Sequence, residues 1–136
     1  MTPDQLLHWQ DRFVRAWEEQ DTDLFLTLFT EDATYQDTPY TVPFQARDFR
    51  AFWDGLAREQ SGNSMRFSES HLLGGGKAVA FWTCETNTLR RGGERCEASG
   101  VMLLTFAPDS RCRTLREWQH GRVLGTPDET RIFPTA

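Results

Sequence analysis

The sequence predicts an α+β domain: three N-terminal helices packed in the concave face of a curved antiparallel sheet, a cone-shaped α+β barrel. Three observations lead there. Apolar residues recur at spacings of three and four as far as Glu59, the helical period. Beyond Gln60 the pattern turns to extended runs parted by short Gly- and Pro-containing turns. A chain of 136 residues buries one core and not two, so helices and sheet must pack on each other.

Each element carries its own signals. Thr2-Pro3-Asp4-Gln5 reads as a helix start, with Thr2 as cap, proline at the first helical position and Gln5 closing a Thr-x-x-Gln capping box. Leu6, Trp9, Phe13, Ala16 and Trp17 then form one apolar stripe. Asp21 caps a shorter helix packed by Leu24, Phe25, Leu28 and Phe29. EDATYQD leads into a first strand, and Pro39 and Pro43 keep the next loop irregular. ARDFRAFWDGLARE is a third helix burying Phe49, Phe52, Trp53 and Leu56, with QSGNS as its exit loop. The strands MRFSESHLL, KAVAFWTCETNTL, RCEASGVMLLTFA and RCRTLREWQHGRV follow as an antiparallel meander, turned at Gly74-Gly75-Gly76, RRGGE and PDS. The domain is expected over residues 1–125, with 126–136 as a C-terminal tail.

Composition narrows the function classes. A formal charge of −5 leaves no clustered basic face for nucleic acid, and the one basic pair, Arg90-Arg91, falls in a hairpin tip. Cys84, Cys96 and Cys112 are an odd number without CxxC spacing, so reduced thiols are expected rather than a disulfide framework. No His/Asp/Glu grouping has a metal spacing and no Gly-rich strand-to-helix junction cradles a phosphate; no metal and no cofactor are expected. There is no basic segment followed by an apolar run at the N-terminus, and no apolar stretch long enough for a bilayer. A cytoplasmic protein is the expectation.

EDATYQDTPY, residues 31–40, raises the functional question. In a strand Ala33, Tyr35 and Asp37 share one face. A carboxylate beside a ring and a methyl group means either a wet face or a cavity wall. A bent sheet around helices that cannot fill it encloses a funnel, and ligand sites favour such funnels.

The order of elements and several phrases resemble the nuclear transport factor 2-like superfamily, in its branch of SnoaL-like polyketide cyclases and ketosteroid isomerases. FVRAWEEQDTDLFLTLFTEDATYQDTPY is similar to that family's first helix, D-x-D turn, strand and loop, ARDFRAFWDGL to its third helix, and GVMLLTFAPDSRCRTLREWQHG to its last two strands. The likeness spans residues 5–122. It implies that Asp37 stands where ketosteroid isomerases keep their general-base aspartate. Phe13 and Met102 stand where those enzymes carry a tyrosine and a second carboxylic acid, so their route to an enolate is not implied. The resemblance also implies which side chains face the funnel: Leu115, Glu117 and Gln119 on the last strand, Val79, Phe81, Thr83, Glu85 and Asn87 on the long central strand, Ala98, Gly100, Met102 and Leu104 on the return strand. Trp82, Val101, Leu103 and Trp118 would then share the outer sheet face, through which family members dimerise, and a homodimer is expected.

In the implied pocket Asp37 is the base, with Glu117 or Tyr35 as proton donor or orienting group. Glu85, Asn87, Phe81, Met102, Leu115, Phe13 and Trp53 are the expected ligand contacts. Asp37, Glu85 and Glu117 around one partly dry cavity cannot all ionise cheaply; at least one pKa rises, which separates an acid from a base. The competing reading is structural: Asp37 caps the Pro39–Pro43 loop through backbone N–H groups, and Glu117 pairs with an arginine such as Arg113. The facing of His71 is open because a bulge would reverse it, while His8 and His120 are expected to be exposed. The expected function is a cofactor-independent acid–base enzyme (isomerase, cyclase, dehydratase or hydrolase) acting on an apolar oxygenated small molecule. The alternative is a non-catalytic ligand-binding or dimerisation module of the same fold.

Overall fold

The computed structural model describes residues 1–89 and 92–124; the Arg90-Arg91 tip and residues 125–136, which include the whole expected tail, lie outside these. Helix α1, Pro3–Glu18, starts at the capping box: the Gln5 amide donates to the Thr2 hydroxyl at 3.2 Å and the Thr2 amide to Gln5 Oε1 at 2.8 Å. Its buried stripe is Leu6, Trp9, Phe13 and Ala16. Asp21 caps α2, Thr22–Thr27, by accepting from the Leu24 amide at 3.0 Å. Strand β1, Phe29–Gln36, leads through the loop to the short β2, Phe44–Gln45, a single 3-10 turn and α3, Phe49–Glu59. Four long strands follow: β3, Gln60–Gly74; β4, Lys77–Thr88; β5, Glu94–Phe106; β6, Cys112–Val123.

These strands form one sheet in the order β2-β1-β6-β5-β4-β3. Neighbours are antiparallel except β1 and β6, which run parallel. The expected cone is therefore an open curved sheet rather than a closed barrel. QSGNS, expected as a loop, is the first part of β3. That strand shifts register between Ser61 and Ser64, Phe67 and Glu69, and Leu72 and Gly74, which lets so long a strand bend around the helices. Among the described residues no helix is long and apolar enough to cross a membrane.

The helices press aromatic rings onto the concave face. Phe25 stacks on Trp53 with centroids 3.7 Å apart, and Trp9 meets Phe106 edge-on while its indole N–H donates to the Leu28 carbonyl at 3.0 Å. Beneath them Ala78, Ala80, Leu104, Cys112 and Leu115 are buried and close the narrow end.

Strands β5 and β6 face as expected, with Met102, Leu104, Leu115 and Glu117 buried. Strand β4 does not. Its buried set is Ala78, Ala80, Trp82, Cys84 and Thr86, so Val79, Phe81, Thr83, Glu85 and Asn87 lie on the reverse face. The hairpin dictates this. Thr88 pairs with Glu94 across an odd-numbered connection, so even positions on β4 oppose even positions on β5, and Ala80 sits opposite Met102. Trp82 thus leaves the outer face, and Phe81 takes its place in a cross-strand row with Val101 and Trp118. His71 pairs opposite Val79 on that outer face and bonds Glu69 at 2.8 Å.

Candidate functional site

At the wide end, the sheet with α1 and α3 encloses a cavity of about 520 Å³. The sheet wall at this height includes Ala98 and Gly121, whose small size leaves space that larger side chains would fill. Gly100 is required by its neighbours, since a Cβ there would come within 2.3 Å of the Trp118 carbonyl oxygen. Phe13, Trp17, Phe52 and Trp53 form the helical side.

Glu117 enters this cavity from β6 and is only 5% exposed. The parallel pairing of β1 with β6 sets Tyr35 opposite Leu115, and from there the Tyr35 hydroxyl donates to Glu117 Oε2 at 3.1 Å. Burial pushes the Glu117 carboxyl up to about 8; the Tyr35 hydrogen bond opposes the rise and the charge of Asp37 adds to it. Burial also holds the Tyr35 hydroxyl well above the usual tyrosine range, helped by the adjacent Glu117. At neutral pH the pair is a phenol and a carboxylic acid. Glu117 therefore has a tyrosine for its partner and not an arginine.

Asp37 stands one residue past β1, on the cavity rim. Its carbonyl accepts from the Gln119 side-chain amide at 2.9 Å, which ties the rim to β6. Its Oδ1 accepts from the Thr41 hydroxyl at 3.1 Å, so the loop is held through a side chain and not through the expected backbone N–H groups.

Phe13, Trp53 and Met102 line the cavity as expected, while Leu115 is buried below it in the core. Glu85, Asn87 and Phe81 are not on the wall. They sit on the reverse of β4, where Glu85 faces Arg95 at 3.5 Å and Asn87 Oδ1 accepts from Arg95 at 3.4 Å. Of the three expected carboxylates, the cavity keeps Asp37 and Glu117. Trp82, Cys84 and Thr86 hold the β4 positions instead, and the odd length of the β4–β5 connection is the sequence signal that points to them. Burial raises the Cys84 thiol to about 12, which makes it a neutral wall group rather than a nucleophile.

An open α+β cone whose cavity holds a buried Glu117–Tyr35 pair beside Asp37 defines a pocket-bearing domain. The sequence matches the SnoaL-like domain family over residues 11–113, and the chain belongs to that family. Solved structures share the fold at low identity. SalBIII, described as an epoxide hydrolase/cyclase-like enzyme with a role in pyran ring formation in the polyether salinomycin, superposes with a TM-score of 0.78 at 16% identity, over 90% of this chain and 99% of its own. PrhC from Penicillium brasilianum gives 0.77 at 16% identity, over 88% and 83% of the two chains. AusH from Aspergillus nidulans gives 0.75 at 18%, over 88% and 86%. These likenesses establish the nuclear transport factor 2-like fold and not the reaction. Among curated proteins no significant match is found.

Proposed function

We propose that the protein is a cofactor-independent enzyme doing acid–base chemistry on an apolar oxygenated small molecule held in the funnel. The observation that carries this reading is the buried Glu117–Tyr35 pair, which shares its cavity with Asp37. Glu117, uncharged at neutral pH, is the acid. Tyr35 occupies Oε2 and leaves Oε1 to present the proton. Asp37 on the rim is the base. Met102, where isomerases carry an acid, is the cross-strand partner of Glu117, so here the acid comes from the adjoining strand. Two carboxyl groups in unlike surroundings provide this division of roles.

Epoxide opening by water or by an internal hydroxyl uses both groups in one step. Asp37 takes the proton of the attacking O–H as its oxygen forms the new C–O bond; the epoxide C–O bond breaks, and its oxygen takes the proton of Glu117. The description of SalBIII supports beginning there. Wild-type protein incubated with a panel of epoxy alcohols and enolisable ketones, with products followed by chromatography and mass spectrometry, is expected to turn over a member of the panel. Both Asp37→Asn and Glu117→Gln should lower that turnover by about 10²–10⁴-fold. Turnover indifferent to both substitutions would sink the reading. The second reading, a non-catalytic binding module, is favoured by Phe13 and Met102 on the cavity wall and expects binding without turnover. We assign Val101, Leu103 and Trp118, with Phe81 in the place expected for Trp82, to a homodimer contact of a cytoplasmic protein.

A further inference from the structure

Among the described residues, every buried side-chain polar atom without a hydrogen-bond partner belongs to the lining of this one cavity. These atoms are the indole nitrogens of Trp17 and Trp82 and Oε1 of Gln60. Trp17 comes from the last turn of α1, Gln60 opens β3, and Trp82 comes from the middle of β4, where it is 5% exposed. Buried donors normally find acceptors, as the Trp9 indole does at Leu28. A wall that needed only bulk could use phenylalanine or leucine and leave no donor unpaired.

The position of Trp82 suggests what the donor is for. Trp82 is paired with Gly100, which is paired in turn with Gln119; the next row holds Met102 and Glu117. Gly100 itself does not line the cavity, since β6 packs against it at Trp118 and Gln119; Trp82, Met102, Glu117 and Gln119 all do, which puts the indole on the same cavity as Glu117. Arg122, the one arginine on the described wall, is engaged by Glu97 at 3.1 Å, which offers a carboxylate or phosphate no free cation.

We propose that the cavity grips its ligand at two stations: the reacting function at Glu117 and Asp37, and a second oxygen, a carbonyl or ether acceptor, at the indole N–H of Trp82. Trp17 supplies a further donor and Gln60 an acceptor for a hydroxyl. One such oxygen has lone pairs for two N–H groups. The Trp82 nitrogen is buried in the structure, so the indole must turn about its Cβ–Cγ bond when the ligand binds. The ligand class is an uncharged, largely apolar frame with two separated oxygen functions, such as a hydroxy ketone or an epoxy ketone. The inference rests on the proposed function only for where the other end of the ligand lies.

Acetylnaphthalene and isopropenylnaphthalene have the same shape and differ in the acceptor oxygen, so their binding tests the second station alone. Proton–nitrogen correlation spectra report the indole N–H signals, assigned with Trp82→Phe and Trp17→Phe. The ketone should bind about three- to tenfold more tightly than the olefin, the worth of one net hydrogen bond. It should also move the Trp82 indole signal downfield. Trp82→Phe should lose the preference and keep its affinity for the olefin. Equal affinities with an unmoved Trp82 signal, a preference that survives both substitutions, or no binding of either probe would overturn the proposal. Should Trp82→Phe fail to fold, the wild-type spectrum decides alone. The readout is binding, so it fails or stands independently of turnover by Asp37 and Glu117.

Discussion

Glu117 is 5% exposed in the cavity while Asp37 sits half-buried on the rim, so water reaches the two carboxyl groups unequally. Folding raises the Glu117 pKa from about 4.5 to about 8, so between those values the folded protein holds a proton that the unfolded chain has released. The stability contributed by this group is fully present below about 4.5 and is lost as pH rises through about 8. The loss is roughly 1.4 kcal/mol per pH unit inside that window. Urea denaturation of wild type from mildly acid to mildly alkaline pH should show this decline, and Glu117→Gln should flatten it. An equal decline in the variant would show that Glu117 is not the titrating group. Asp37 has a different test. Asparagine keeps an oxygen for the Thr41 hydroxyl, so Asp37→Asn should change stability by no more than about 0.5 kcal/mol while turnover collapses. A loss of about 1 kcal/mol, the size of a lost cap, would mark Asp37 as a loop tie instead.

At the scale of elements, turns decide what the strands present. Gly75 and Gly76 in the β3–β4 turn both have positive φ, but a Cβ at Gly76 would lie 2.8 Å from the Phe106 carbonyl oxygen, whereas nothing lies within 4 Å at Gly75. The Phe106 amide also donates to the Gly76 carbonyl at 2.7 Å, which pins this turn to the end of β5. Gly75→Ala should therefore cost about 1 kcal/mol of backbone strain and Gly76→Ala clearly more. Equal costs in chemical denaturation would show that the turn is not held against β5. Much of this architecture was legible. The capping box marks α1, Asp21 marks α2, and alternation gives the inward faces of β1 and, with the resemblance, of β5 and β6. Other parts were not. The start of β3 has no apolar residue and only half-buried or exposed positions, so QSGNS carries the composition of a loop. Val79 and Phe81 are as apolar as Ala78 and Ala80, so alternation along β4 has no sign; only counting residues through the hairpin supplies one. The Tyr35–Glu117 bond spans 82 positions and depends on the parallel β1–β6 pairing, which no local pattern encodes. Its two residues were visible as candidates, but their partnership was not.

The sheet as a whole has one face covered by helices and one without such cover. On the uncovered face Phe81, Val101 and Trp118 form a row across β4, β5 and β6, with Val79 and Leu103 in the adjoining row. Phe81 is 39% and Trp118 37% exposed, and the Arg116 guanidinium lies 4.9 Å from the Trp118 ring centre. Towards β3 this patch ends at Glu69 and His71, so its apolar centre has a polar border, as interfaces do. In the proposed homodimer this patch would meet its own copy across a two-fold axis. Trp118→Glu should keep the fold, because the side chain is outside the core, and should shift the protein towards monomer in sedimentation equilibrium. Trp82→Phe is the control that the facing of β4 provides: it alters the cavity wall, so the assembly should remain that of wild type. A Trp118→Glu protein that sediments like wild type, with an unchanged circular dichroism spectrum, would show that this face is not the contact between subunits.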